Sequence, residues 1–465
     1  MSETPFPLGK KLPLPAAPSL RRLIGPSFII LGLGLGSGEV ILWPYLTSNY
    51  GLGLVWAIVL GITMQFFINL EVERYALIYG ESIFVGFARM WRRLPLWFIL
   101  TTFLGFGWPG IGLAGANLLA HATGIEQTNL VAIAIFILIG LILSFGRVLY
   151  QTVESIQKWL IGIGVPAIVI LTLFLSSRAD FAALGHGLLG QGPDYLFFPA
   201  GLSLAAFLGA LAFSGAGGNL NLAQSFYVRD KGYGMGKYSA RITNLLHEKR
   251  DDAHIHLTGS TFALTNNNRR NFAHWWRVIN LEHFLVFWVL GLITMLTLSL
   301  LAYTTAYGLP NNHQDITFVL NEAAVIGQMT LPFVSLLFLT ITGIMLSATQ
   351  MTVLDSTSRI ITENWLLVRR QPKGKVAHIY YFVLWGQIAW GIAVFLAGFN
   401  EPKQLIITSA VINAFTMFIY TGLLLYLNNR HLPPELRPRP WRNVMLALTF
   451  LFFGAFCALY LIDKF

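Results

Sequence analysis

The sequence predicts an all-α integral membrane protein of eleven transmembrane helices, arranged as two inverted five-helix repeats with one helix added at the end. Three observations lead there. First, only 11% of the 465 residues are charged and 55% are hydrophobic, whereas a soluble domain carries roughly 25% charged residues. Second, the apolar residues fall into runs of about 20, the length that crosses a hydrocarbon core about 30 Å thick. Third, two glycine-rich runs lie five helices apart, the spacing expected when two repeats each begin with an interrupted helix.

The apolar runs cover 24–49, 52–73, 94–120, 129–146, 155–176, 198–224, 280–304, 327–354, 379–398, 404–427 and 443–462. Residues 1–23 are Pro-rich and polar and lack the basic start, apolar run and cleavage site of a signal peptide, so they read as a short cytoplasmic tail. Residues 24–427 form the ten-helix core, with a long cytoplasmic segment at 225–279. A linker and the eleventh helix fill 428–465. With the N-terminus inside, all 31 Lys and Arg except Arg178, Lys403 and Lys464 fall in cytoplasmic segments or at cytoplasmic helix ends. This positive-inside bias supports both the helix count and the orientation. It predicts a multi-pass protein of a bacterial-type inner or plasma membrane with anionic lipid as its partner. The net charge of +10 is then accounted for without nucleic acid. The sequence carries no signal for oligomeric state. Cys457, the single cysteine, has no internal disulfide partner.

Helix one reads Gly25-Pro26-Ser27-Phe28 and then Leu31-Gly32-Leu33-Gly34-Leu35-Gly36-Ser37-Gly38-Glu39. Helix six reads Gly209 to Asn219 with Ser214-Gly215-Ala216-Gly217-Gly218 at its centre. Glycine costs a helix about 1 kcal/mol against alanine, and unwound backbone inside a membrane is tolerated where it lines a cavity. Both helices are therefore expected to break near mid-membrane. The competing reading is that the glycines let helices pack closely.

These residues also resemble a known family. Gly25-Pro26-Ser27-Phe28 with a break ten residues after Pro26, Tyr150-Gln151-Thr152-Val153-Glu154, Gly215 to Asn219, and Ser347-Ala348-Thr349-Gln350 to Glu363-Asn364-Trp365 are similar to segments of Nramp-type metal transporters. The resemblance runs over roughly residues 20–430. It implies a leucine-transporter-like 5+5 inverted repeat of the amino acid–polyamine–organocation superfamily. It also implies proton-linked symport of a divalent metal by alternating access, at a central site between helices one and six. The chain departs from the family's motifs. Gly36-Ser37-Gly38-Glu39 stands where the family has Asp-Pro-Gly-Asn, and Ala216-Gly217-Gly218-Asn219 where it has Met-Pro-His-Asn. A tenth-helix Gln of the family falls near Ala410, with Asn413 a turn later. The resemblance therefore implies a divergent Nramp-like branch. Gly36-Ser37-Gly38 is also similar to the Gly-Ser-Gly break of amino-acid permeases, where bare backbone N–H groups receive a carboxylate.

The candidate substrate site gathers Gly36, Ser37, Gly38 and Glu39 with Ser214, Gly215, Ala216, Gly217, Gly218, Asn219, Asn221, Gln224 and Asn413. Without a thioether or imidazole, such a set suits a hard, hydrated cation such as Mg²⁺ or Mn²⁺ better than iron. It suits a small amino-acid-like or carboxylate solute equally well, because a half-helix start offers free N–H groups to an anion. Glu39, an ionisable residue within a span, is the candidate metal ligand or carrier of a coupling proton. No resident cofactor is expected beyond that transported cation and proton.

Glu154, four residues before Lys158, is a surface-type pair or a coupling residue. Asp355, four before Arg359, reads as an inner gate. Glu71, Glu73 and Arg74 close helix two and are expected to pair with basic loops, His121 to cap an outer helix end, and Ser409 to line the cavity or bond between helices. Asp251-Asp252-Ala253-His254-Ile255-His256 keeps open a membrane-embedded enzyme using Asp252, His254 and His256, though no second ligand cluster accompanies them. Phe272 to Arg277 is an interfacial anchor pattern. No Walker, Gly-x-Ser-x-Gly or zinc-protease sequence is present, so a transporter is favoured over an enzyme.

Overall fold

The structure, a computed structural model, describes residues 6–18, 25–145, 149–239, 255–371, 373–374, 376–399 and 401–464. Ten helices among them are long and apolar enough to span a membrane: Pro26–Tyr50, Leu52–Tyr79, Leu94–Thr123, Thr128–Phe145, Tyr150–Leu175, Asn266–Ala306, Pro332–Val368, Val376–Leu396, Pro402–Arg430 and Pro440–Lys464. These are helices one to five and seven to eleven. Helix six is the discontinuous pair Leu204–Ala212 and Leu220–Lys231. The eleven expected helices are all present, and helices two, six, seven and eight run further than hydropathy indicates on the side where helix one starts.

Burial sorts the helices into centre and periphery. The most apolar window of helix one is 100% buried, that of helix eleven only 22%. Helix one is sheathed by helices five, six, seven and eight. Helix eleven lies against ten and leaves most of its surface for lipid.

Helix six breaks as expected. Gly217 (φ +72°) and Gly218 (φ +47°) take the left-handed conformation that only glycine adopts cheaply. Helix one does not unwind. Its irregularity is a π-helical stretch, Ser37–Leu42, in which the Trp43 N–H reaches the Gly38 carbonyl five residues back. Its glycines serve close approach. A side chain at Gly34 would press on the Gly215 backbone at 3.0 Å, one at Gly36 on Thr349 at 2.7 Å, and one at Gly38 would overlap the Phe213 carbonyl. The expected break in helix one is thus corrected to a π-turn clamped between helices six and eight.

The supposed loop 225–279 is largely structured where it is described. Helix six continues to Lys231, and helix seven begins at Asn266, so the Phe272–Arg277 anchor is helical. Residues 240–254, which include Asp251, Asp252 and His254, lie outside the described residues. Ile255–His256 pairs antiparallel with Lys373–Gly374 in a two-residue ladder. The tail is not free either. Gly9 N donates to Gly259 O at 2.7 Å, and Trp275 Nε1 donates to Pro15 O at 2.7 Å, strapping the tail across the face where helix one starts.

Candidate functional site

Every residue expected to form the site is buried, so the chain is closed around its centre. The backbone of the helix-six break is satisfied by a side chain from helix two. Gln65 Nε2 donates to Leu211 O (3.3 Å) and Ala212 O (3.1 Å), while its Oε1 accepts from Gly217 N (3.1 Å). In the first turn of the second half-helix, Leu220 N and Asn221 N bond back to Gly217 O and Gly218 O. Ser214 Oγ accepts from Trp43 Nε1 at 3.1 Å and donates to Ala210 O at 2.9 Å, tying the break to helix one.

The polar side chains do not all converge. Asn219 points to helix three, donating at 2.9 Å to both Thr101 Oγ1 and Thr102 Oγ1. Asn413 of helix ten donates to Gly105 O in the same stretch of helix three at 2.9 Å, and Ser409 Oγ donates to that carbonyl too. Asn413 Oδ1 lies against Gly218, so closely that a side chain there would overlap it. Asn219 and Asn413 thus each tie the region of the break to helix three, and the Oδ1 atoms of both asparagines are buried without a donor.

Asn221 and Gln224 lie elsewhere. At 100° per residue they face other sides of the half-helix. Asn221 donates to Tyr420 OH (2.9 Å) and Gln224 to Glu73 Oε1 (2.5 Å). Glu39 also stands apart. Its carboxylate is fully buried, neither oxygen has a partner, and it lies towards Gly291 of helix seven.

The residues expected to gate are brought together more fully than their spacing indicates. Arg359 bonds Asp355 (2.9 Å) and also Asp230 at the end of helix six (2.5 Å), and Tyr380 of helix nine donates to Asp355 at 2.8 Å. Arg229 continues the chain to Glu363 at 2.9 Å, whose other oxygen takes Ser82. Glu154 accepts from Lys158 and from Lys231, each at 2.6 Å, joining helices five and six. On the opposite face, Asn312 Nδ2 donates to Ser48 O (3.2 Å) and Asn49 Nδ2 to Asn312 O (3.3 Å). There Lys403 sits 4.4 Å from the Tyr45 ring centre. His121 is exposed, with Nδ1 2.9 Å from Asn117 O, as a terminal helix residue would be.

One cluster was not anticipated. Glu73 does not pair with a basic loop; it lies 3.2 Å from His283 Nδ1, which in turn is 2.9 Å from Ser27 Oγ, a donor to Glu282. Two carboxylates and an imidazole are thereby buried between helices one, two, six and seven. Adjacent ionisable residues leading into the apolar run of helix seven were the available signal. Among the described residues no group of three or more His, Cys, Asp or Glu is arranged to hold a metal.

Comparison with known proteins agrees with this architecture. No curated protein matches the chain in sequence. Among solved structures, a manganese transporter variant from Eremococcus coleocola superposes with a TM-score of 0.69 at 15% identity, covering 98% of this chain and 89% of that one. A nucleobase–cation-symport-1 family transporter in a closed conformation gives 0.55 at 12% identity, with 99% and 93% covered. The transporter MhsT in complex with L-phenylalanine gives 0.50 at 13%, with 94% and 98% covered. These likenesses establish the inverted-repeat transporter fold. The model of the natural resistance-associated macrophage protein-like family matches residues 46–463, from the end of helix one through helix eleven, and the chain therefore belongs to the Nramp family.

Proposed function

We propose that this chain is a secondary transporter that carries a hard divalent cation, Mg²⁺- or Mn²⁺-like, by alternating access with a coupled proton. Family membership supports a membrane transporter rather than an enzyme, and the structurally similar Eremococcus coleocola protein is a manganese transporter. The observation that carries the cation reading is the pair of donorless amide oxygens, Asn219 Oδ1 and Asn413 Oδ1, buried beside the helix-six break with two threonine hydroxyls. Unsatisfied buried acceptors cost about 1–3 kcal/mol each, and a cation or its bound water relieves that cost. Neutral oxygens suit a hard, partly hydrated ion. The rival substrate, an organic carboxylate, needs bare backbone N–H groups. Here Gly217 N is taken by Gln65 and the first-turn N–H groups bond back into the break.

Glu39 has no cation partner and no donor. A lone buried charge is costly, so a proton on this carboxylate is the economical state, and Glu39 is assigned to proton coupling rather than to the metal. Glu154, Asp355 and Arg359 act as gates. The charge bias supports an N-terminus in the cytoplasm.

The test is reconstitution into liposomes with Mn²⁺ or Mg²⁺ and an internal fluorophore. Wild-type protein should admit at least one ion, and Asn219→Ala with Asn413→Ala should abolish entry. Glu39→Gln should uncouple entry from an imposed pH gradient. Absence of flux and of calorimetric binding for both ions would remove the cation reading, while unchanged coupling in Glu39→Gln would show that another carboxylate carries the proton.

A further inference from the structure

A cavity of 590 Å³ opens far from the transport centre, on the face where helix one starts, between the end of helix two, the first turns of helix seven and the linker into helix eleven. Its inner wall is two buried guanidinium groups, Arg74 and Arg442, only 4% and 6% exposed. Both lean on the same carboxylate: Arg74 Nε lies 2.7 Å from Glu71 and Arg442 Nη1 3.3 Å from it. Both also stack on Trp276, at 3.8 and 4.9 Å from the ring centre. One glutamate therefore serves two cations, and the wall keeps an excess of positive charge.

The rim adds Arg269, Arg277, Arg437 and Arg439, all exposed. Arg269 pairs with Glu435 at 3.2 Å. The other three have no carboxylate partner among the described residues. Six arginines thus surround a cavity whose lining contains one acidic residue, Glu435. Like charges gathered in this way repel one another, and a bound anion relieves that repulsion. Guanidinium forks match the oxygens of phosphate in pairs. The cavity's volume also falls within the range that holds a small ligand, roughly 300–1,000 Å³.

Position narrows the source. Trp441, exposed at the start of helix eleven, and Trp276 flank the cavity, as tryptophans do at a membrane interface. Helix eleven is the span most open to lipid. We infer that this arginine cavity binds a phosphate-bearing anion, by its position the headgroup of an anionic phospholipid, which then clamps helices two, seven and eleven together.

The experiment follows thermal unfolding of the purified full chain in detergent while short-chain dioctanoyl phosphatidic acid is titrated in. Dioctanoyl phosphatidylcholine serves as the neutral control and glycerol 3-phosphate as the free ester. A saturable rise in melting temperature is expected with phosphatidic acid. Arg277→Gln with Arg439→Gln removes two rim charges that support no buried contact, and should weaken the midpoint by about tenfold or more. Arg92→Gln with Arg93→Gln, exposed residues outside the cavity, should leave it unchanged. If glycerol 3-phosphate stabilises at the same midpoint and with the same dependence on Arg277 and Arg439, the site stands and its ligand is a free phosphate ester. An equal response in the rim variant and the wild type, or an equal rise with phosphatidylcholine, overturns the site.

Discussion

Single residues decide how closely helices one, six and ten approach, and Gly218 is constrained twice over. It combines a left-handed backbone (φ +47°) with contact against Asn413 Oδ1. A non-glycine residue in such a conformation costs about 1–3 kcal/mol before any overlap is counted. Gly218→Ala should therefore lower the unfolding temperature and reduce transport together. Gly162→Ala and Gly386→Ala, where an added carbon meets nothing within 4 Å, should keep or slightly raise stability, since alanine is the better helix former. Thermal unfolding of the three variants checks both halves; equal losses in all three would show that close approach at Gly218 is not what matters. The same residues show what the sequence could carry. The glycine clusters in helices one and six look alike as strings, and both are irregular in the structure. Only long-range neighbours separate them. Thr349 and the Phe213 carbonyl press on helix one and demand small residues, whereas Gln65 supplies the hydrogen bonds that let helix six stay open. Neither neighbour leaves a trace in local spacing.

At the scale of elements, hydropathy found every span but misplaced its ends. It follows lipid contact, and helices two, seven and eight run past the apolar layer into protein. Helix eight reaches Val368 with Arg359 and Glu363 of its last turns buried in ion pairs beside Leu366 and Leu367, a burial that hydropathy does not register. The short helix Thr317–Met329, between spans seven and eight, lies mostly in the interval between the expected apolar runs and overlaps only the start of the eighth. It contains Glu322, which is 2% exposed and has one oxygen without a partner. Burial raises this carboxyl well above its ordinary value of 4.5. The folded chain then holds the proton more tightly than the unfolded chain. Its contribution is most favourable in acid, below both values. It declines as pH rises above the unfolded value, until the folded group also ionises. Glu322→Gln should consequently raise the melting temperature at pH 8 more than at pH 4, flattening that part of the stability profile. A uniform shift at both pH values would mean that the glutamine acts through packing instead.

Across the whole molecule, the salt bridges that close the centre are grouped on one face, while neutral hydrogen bonds and a cation–ring contact close the other. Lys403 and the Asn312 contacts close the side where helix one ends. The Asp230–Arg359–Asp355–Tyr380 chain closes the side where it begins, linking helices six, eight and nine. That partition follows from the charge bias legible in the sequence, but its pairing does not, because Asp230 and Arg359 lie 129 residues apart. The buried network is the stronger lock: removing one partner of a buried ion pair costs about 3–5 kcal/mol. Asp355→Asn leaves Arg359 one carboxylate instead of two and weakens the hold of helix eight on helix six. If the network keeps the centre shut, this variant should populate a state open on that face. A cysteine placed at Ser214, beside the break, reports it in a Cys457→Ala background, since Cys457 is the chain's single cysteine. Labelling of Ser214→Cys by a soluble maleimide should be slow in the otherwise native chain. It should speed up by about tenfold or more when Asp355→Asn is added, as a shift of a few kcal/mol in a two-state equilibrium requires. Asn312→Ala, which loses neutral hydrogen bonds worth only about 0.5–1.5 kcal/mol each, should accelerate labelling far less. Equal rates in the two variants would assign the barrier to packing of helix one against six and eight, and leave the ion pairs a purely structural role.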